Sequence, residues 1–412
     1  MRIRILLVGL AAVVSLSAQR KVTDEEVARV HKAAFLIDTH NDVTSKTVTG
    51  FDIGPRATSG HSDIVRMREG GLGAQFFAVY VAANYVEGNR SANRTLQMID
   101  TVRHDIIAKY PNTFQYATSV KEIEDARKKG KIAALMGIEG GHAIEDSLRL
   151  LRDYYALGIR YMTLTHSNTN NWADSSGDVT RDNVKHHDGL TDFGKDVVHE
   201  MNRLGMMVDI AHVADKTFWD ALEVSKAPIF SSHSSCRSLC NVARNMTDEM
   251  IQAMAKKGGL IQINFSCGFL SQAAADAGGG GGGRGRGGRG GNPELQARID
   301  KETEGKNLTP EQRQETIRKI REEMGIRQVR ATLADVVAHI DHVKNIAGVD
   351  HVGIGSDFDG VGCTPEGLDD VSKYPNLTRA LLEKGYTAAD ITKIYSGNLL
   401  RVMRAVETAA GK

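Results

Sequence analysis

Short apolar runs recur along the chain, separated by amphipathic or polar stretches. Eight stand out, at residues 34–37, 74–79, 132–138, 161–164, 206–210, 228–230, 260–263 and 351–354. Within each run hydrophobicity is continuous rather than alternating, as a parallel strand covered on both faces requires. The stretches between them, such as 190–202 and 331–345, carry the period of helices packed by one face. Strand and helix in repeated alternation predict a (β/α)8 barrel of the TIM type rather than an open doubly wound sheet.

Two segments fall outside this pattern. Residues 1–4 (MRIR) carry two positive charges, residues 5–14 are apolar or small, and SLSA (15–18) offers a small-residue cleavage site. An apolar run this short does not span a bilayer, which takes about 20 residues, so residues 1–18 predict a cleaved signal peptide. The expected product is an exported protein, periplasmic or secreted, with the barrel occupying 22–412. The polar end at 407–412 offers no tail for a lipid anchor, and no stable membrane insertion is expected. The second segment, 273–327, predicts an insertion before the eighth strand. It opens with GGGGGGRGRGGRGGN (278–292) and continues in a highly charged stretch of helical composition. Three arginines without interleaved aromatics read as a flexible linker, not as a nucleic-acid-binding arm.

Composition narrows the classes. The chain has 412 residues, 41% hydrophobic and 25% charged, which are ordinary globular values. Its 52 Lys and Arg balance 51 Asp and Glu to a net charge of +1, so no global field favours nucleic acid or a membrane surface. Four cysteines are too few for a disulfide scaffold and lack zinc-finger spacing. An oxidising compartment permits a bond among Cys236, Cys240, Cys267 and Cys363, and spacing does not select the pair.

The polar residues that follow the runs carry the chemistry. The first run leads into Asp38-Thr-His40-Asn-Asp42, and the third into Glu139. Later runs lead into His166, His212, His233 and Asp357 with Asp359. In a (β/α)8 barrel all strands end on one face, where the site is built, so six of the eight ends bring His, Asp or Glu together. His40 and Asp42, two apart, share a side if extended and can hold one ion. His212 and His233 can hold a second, with Glu139 bridging. Ligand sets of this size without cysteine leave open positions, the catalytic rather than the structural pattern. Imidazole with carboxylate favours zinc and also accommodates manganese or iron. Two such ions would activate a shared water for hydrolysis.

The segments DTHND (38–42), GIEGGH (137–142), TLTHSNTNNWAD (163–174), DIAHV (209–213), FSSHSS (230–235), ARN (243–245) and GIGSDFDG (353–360) resemble the membrane dipeptidase, or renal dipeptidase, family of the amidohydrolase superfamily. The likeness spans about 30–403 apart from the insertion. It implies a (β/α)8 metalloprotease with two zinc ions per chain that cleaves dipeptides, including those with a C-terminal D-residue. Some members of the family also open β-lactams. Carried over, it places His40 and Asp42 on one zinc, His212 and His233 on the other, and Glu139 between them, with a bridging hydroxide as nucleophile. His166 would steady the oxyanion, Arg244 would pair with the substrate carboxylate, and Asp357 would contact the amino group and move the proton. Asp359 is the lesser alternative to Asp357. Trp172 reads equally as pocket wall or loop anchor, and His142 as support for the site or as structure. His186 and His187 read as solvated loop residues. The resemblance allows a homodimer, and the rival reading is opening of lactams, lactones or other small amides on the same two metals.

Overall fold

A computed structural model describes residues 21–278, 293–303, 306, 308, 310–326 and 329–412. The signal-peptide reading (1–18) and nearly all of the glycine-rich run (279–292) lie outside the described residues. Among the described residues nine strands form one sheet: β1 (Ile37–Asn41), β2 (Ala74–Tyr80), β3 (Phe114–Tyr116), β4 (Ile132–Glu139), β5 (Ile159–Thr163), β6 (Met207–Asp209), β7 (Phe230–Ser234), β8 (Leu260–Ile263) and β9 (Val352–Ile354). All pair in parallel in the order β1-β2-β4-β5-β6-β7-β8-β9, and the short β3 lies outside that path against β4. A parallel bridge between Asn41 and Phe358 joins the two ends of the path. There the Asp42 amide donates to Phe358 O (2.9 Å) and the Asp357 amide to His40 O (3.1 Å). The ring of a (β/α)8 barrel is thus drawn together at the end of the strands where the polar residues gather.

The strands are offset from the apolar runs in a consistent way. Residue 34 ends a helix (Asp24–Ala34), Phe35 turns with φ 55°, and β1 begins only at Ile37 and continues through Asp-Thr-His-Asn. Likewise the run at 228–230 becomes Phe230–Ser234. Apolar character marks the approach to the strand, while the C-terminal half faces a polar barrel mouth and satisfies its groups by hydrogen bonding. The helices shift as well. The stretches read at 190–202 and 331–345 are Asp192–Leu204 and Leu333–Ala347. Thr191 caps the first, and a Thr332–Asp335 capping box starts the second.

Two further features position the site. A Cβ on Gly137 would lie 2.0 Å from the ring of Tyr161, its neighbour across β4 and β5, so glycine there lets Tyr161 cross the barrel interior. Cys267, just after β8, is bonded to Cys363, in the loop after β9. Cys236 and Cys240 remain buried thiols. Between those two half-cystines, helices Pro293–Thr303 and Pro310–Glu323 pack through Leu295, Ile299 and Ile320. Among the described residues no helix is long and apolar enough to cross a membrane.

Gly137→Ala should overpack this layer and lower stability by about 1–3 kcal/mol. The measurement is the urea midpoint of the metal-stripped protein, and an unchanged midpoint would show that the ring tolerates a methyl group.

Candidate active site

The barrel delivers its polar residues to one place. His40 lies on β1 with Asp42 just past its end, Glu139 closes β4 and His233 lies on β7. His166, His212 and Asp357 each follow their strand by three residues. His212 and Asp357 adopt left-handed backbone (φ 65° and 62°), a cost of about 1 kcal/mol or more each that the surroundings must hold in place. Hydrogen bonds from Ser176 N (2.8 Å) and Ser176 Oγ (2.9 Å) to the His212 carbonyl do so for His212, and the Asp357 amide is held by His40 O (3.1 Å).

Glu139 is the hub. Its Oε1 lies 2.9 Å from His212 Nε2, 3.3 Å from His233 Nε2, 3.6 Å from His40 Nε2 and 3.8 Å from His166 Nε2. Burial alone would raise the carboxyl, yet the surrounding imidazoles hold it well below the usual range. Ligand atoms gather in three overlapping groups: His40–Asp42–Glu139, Glu139–His166–His212 and His40–His233–Asp357. Burial, then the neighbouring Arg244 or His40, keeps His212 and His233 well below the ordinary imidazole range, so their nitrogens are available as donors to a cation. The buried Nε2 of His40 makes no hydrogen bond, although the Asp42 and Glu139 oxygens lie 3.2 and 3.6 Å away. Nitrogen facing carboxylate oxygen is an arrangement that a cation resolves, whether a metal ion or a proton on Nε2. Against the effect of burial, Tyr161, Glu139 and Asp42 raise the His40 pKa well above its usual value. The donor set is imidazole and carboxylate without thiolate, and it fits divalent metal.

Two hydroxyls set the imidazole tautomers. Tyr161 Oη donates to Thr39 O (3.0 Å), so its oxygen is left to receive His40 Nδ1–H at 2.9 Å. Ser232 Oγ donates to Asp209 Oδ2 (2.6 Å), so its oxygen receives His233 Nδ1–H at 2.7 Å. Asp209 is itself fixed by the Ser232 amide (2.8 Å) and the Thr163 hydroxyl. In both cases a hydroxyl whose proton is already committed accepts Nδ1–H and turns Nε2 toward Glu139.

The remaining expectations divide. Arg244 donates from Nη1 to Ser234 Oγ (2.7 Å) and from Nη2 to His233 O (2.6 Å), while its Nε is buried without a partner. Asp357 accepts from Asn264 Nδ2 at 2.8 Å, and burial with Asp42 and Glu139 nearby pushes its carboxyl well up. A Cβ on Gly360 would lie 2.3 Å from oxygens of both Asp357 and Asp42, so glycine gives these carboxylates room to approach. Asp359 is turned away from them. It accepts from Lys46 Nζ and the His61 amide, both at 2.9 Å. Trp172 is fully buried, its ring edge-on to Phe193 and close against Gly141. His142 lies beside Glu139 but holds Val81 O at 2.9 Å, and burial lowers its pKa to about 4. His186 and His187 are only partly solvated. They fold half-buried onto Asp174, with His187 Nε2 2.9 Å from Asn170 O.

Sequence reasoning passed over Tyr161, Ser232, Asp209, Tyr80 and Asn264. The two strand ends without His, Asp or Glu deliver the last two. Tyr80 ends β2 and meets the His166 ring edge-on at 4.9 Å, and Asn264 follows β8. Any polar residue closing an apolar run would have been the signal.

A (β/α)8 barrel with this buried cluster at its strand ends defines a metal-dependent hydrolase. The chain belongs to the membrane dipeptidase family (peptidase family M19), which it matches over residues 24–412. It is therefore a metallo-dipeptidase, a hydrolase acting on peptide bonds. It is 32% identical to an uncharacterised dipeptidase of Schizosaccharomyces pombe, over 96% of this chain and 86% of that protein. It is also 32% identical to Dipeptidase 3 of Mus musculus, over 92% of this chain and 65% of that one. Among solved structures, the probable dipeptidase PvdM of Pseudomonas aeruginosa superposes with a TM-score of 0.76 at 26% identity, covering 94% and 98% of the two chains. A metallo peptidase from Rhodobacter sphaeroides, liganded with a phosphinate mimic of the dipeptide L-Ala-D-Ala, has a TM-score of 0.70 at 23% identity, covering 90% and 99%.

Tyr161→Phe and Ser232→Ala each remove the acceptor for an imidazole N–H and should weaken metal affinity by roughly 10- to 100-fold. Competition with a chelator of known affinity measures this, and wild-type affinity in both variants would mean the tautomers are set elsewhere.

Proposed function

We propose that the chain is a zinc-dependent dipeptidase that binds two zinc ions and cleaves the amide bond of dipeptides with free amino and carboxyl ends. The observation that carries this reading is Glu139 Oε1 within 2.9–3.8 Å of four imidazole nitrogens, beside a buried His40 Nε2 that lacks a hydrogen bond. His40 and Asp42 would hold one ion, His212 and His233 the other, and Glu139 both. Bound zinc would supply an acidified water and a polarised carbonyl.

The chain's own residues do the rest. His166, packed between Tyr80 and His212, would donate to the substrate oxygen as negative charge develops there. Asp357 would take the proton of the attacking water and return it to the departing amine. The rise in its carboxyl pKa suits that exchange. Arg244, two of its nitrogens anchored and Nε unpartnered, presents a fixed edge to the substrate carboxylate. Acceptance of a C-terminal D-residue belongs to the same proposal. The ligand of the Rhodobacter sphaeroides structure mimics an L,D-dipeptide. Export through residues 1–18 completes it, and the Cys267–Cys363 bond is of the kind that persists in an oxidising compartment.

Amino-acid release from L,L- and L,D-dipeptides, a tripeptide and an N-blocked dipeptide tests the reading, with each substrate run before chelation, after it and after zinc is restored. Zinc-dependent cleavage confined to free dipeptides is expected, and metal binding without any dipeptide cleavage would overturn the substrate assignment. His233→Ala should abolish turnover together with zinc retention, whereas full rate with retained zinc would remove His233 from the ligand set. Arg244→Ala should raise KM by roughly 10- to 100-fold with a smaller change in kcat, the scale of a lost charge-assisted hydrogen bond. An unchanged KM would exclude Arg244 from carboxylate binding.

A further inference from the structure

The seven residues after β8 touch both groups assigned above to the two ends of the substrate. Asn264, fully buried, donates from Nδ2 to Asp357 Oδ2 at 2.8 Å. Its amide cannot turn over, because Oδ1 accepts from the Ser266 amide at 2.5 Å. Five residues on, the Phe269 ring lies beneath the Arg244 guanidinium, 5.5 Å from centroid to Cζ. The Phe269 carbonyl in turn accepts from Asn245 Nδ2 (2.9 Å), the residue next to Arg244.

Between these two contacts the segment is fastened to the loop that carries Asp357. The Phe265 amide donates to Ser356 O (3.1 Å), the Cys267 amide donates to Cys363 O (3.1 Å), and Cys267 is bonded covalently to Cys363. On the Arg244 side, Cys240 Sγ donates to Gly268 O at 3.3 Å. One short span therefore connects the carboxylate that would read the amino end with the guanidinium that would read the carboxyl end, and the disulfide keeps it from sliding.

We propose that residues 264–270 form the ruler of the site. They fix the separation between Asp357 and Arg244 and so confine hydrolysis to dipeptides, with Asn264 and Phe269 as positioning residues and Cys267–Cys363 as the clamp. This rests on the dipeptidase reading and adds the element that sets substrate length. The two positioning residues act on opposite ends of the substrate, so their loss affects different substrates. A general loosening of the fold would affect all substrates alike.

The experiment compares Ala-Ala, Ala-Ala amide, N-acetyl-Ala-Ala and Ala-Ala-Ala as substrates of the zinc-loaded full chain, with zinc content and thermal midpoint measured on each variant. Phe269→Leu is expected to reduce the preference for the free over the amidated carboxyl end on the order of tenfold, the scale of a cation–π contact at a desolvated site. Its preference for the free over the acetylated amino end is expected to stay as in wild type, and Phe269→Tyr, which keeps the ring, to restore the carboxyl-end preference. Asn264→Ala is expected to do the converse, lowering only the amino-end preference. The Cys267→Ser/Cys363→Ser double variant is expected to lower both preferences and to raise tripeptide cleavage relative to dipeptide cleavage. Serine replacement is used because thiol reductants also compete for zinc. Zinc content is expected to match wild type throughout.

Parallel losses on all four substrates, or unchanged preferences in the two single variants, would overturn the ruler while leaving the dipeptidase assignment standing. Should the double-serine variant fail to fold, the single variants decide alone. If the wild-type chain shows no preference for either free end, the dipeptidase reading falls, and the ruler with it.

Discussion

One buried carboxylate organises this molecule. Glu139 closes β4 with an oxygen facing imidazoles from β1 and β7 and from the loops after β5 and β6. A charge so placed is costly in a low-dielectric interior unless groups of opposite character surround it. No single helix or hairpin could supply four such neighbours from positions so distant in sequence, whereas a ring of parallel strands can, because every strand ends on the same face. The bridge between Asn41 and Phe358 then matters beyond its few hydrogen bonds. Joining β1 to the segment after β9 brings Asp42 and Asp357 to the same side of the cluster.

The same requirement explains why the strands are apolar at one end and polar at the other. Toward their starts they pack against helices and against each other. Farther along or just beyond the strands come Thr39, Asp209, Ser232 and Ser356, and β1 carries Asp38 as early as its second residue; all are fully buried, and each must find partners. Asp38 accepts from the Ser356 amide and hydroxyl and from Tyr374 Oη, tying β1 to the β9 loop and to the helix Tyr374–Glu383. Asp209 plays the corresponding part between β6 and β7. These carboxylates do not reach the cluster. They hold the strands that do, and burial raises the pKa of both.

How much of this could be read from the chain follows from the same division. The eight apolar runs located the barrel strands because burial on both faces makes hydrophobicity continuous. Their ends were displaced wherever the strand ran on into polar residues, as at β1 and β7. The residues with chemically specific side chains, from His40 to Asp357, were legible because so many His, Asp and Glu residues in equivalent positions have few structural explanations. Ser232, Tyr161 and Asn264 were not legible. A serine, a tyrosine and an asparagine are ordinary strand or loop residues, and only the three-dimensional contact reveals what each one holds. β3, with Gln115 between Phe114 and Tyr116, has no continuous apolar run to set it apart from a loop. The Cys267–Cys363 pairing joins positions 96 apart in sequence across an insertion, and no local signal encodes it.

The insertion shows how the fold separates substrate recognition from metal binding. Its helices lie between β8 and β9, bounded by the half-cystines Cys267 and Cys363, and their small apolar cluster is distinct from the barrel core. The bond fixes Cys267 between the insertion and residues 264–266, so movement of those helices meets a fixed point before it reaches Asn264. Glu139 and the imidazoles stand on other strands, held by Tyr161, Ser232 and Asp209, and none of those contacts passes through residues 264–270. The chain can therefore vary in length and composition within the insertion, 273–327, without disturbing the groups suited to hold metal. What such variation can reach is the backing of Arg244 and Asp357.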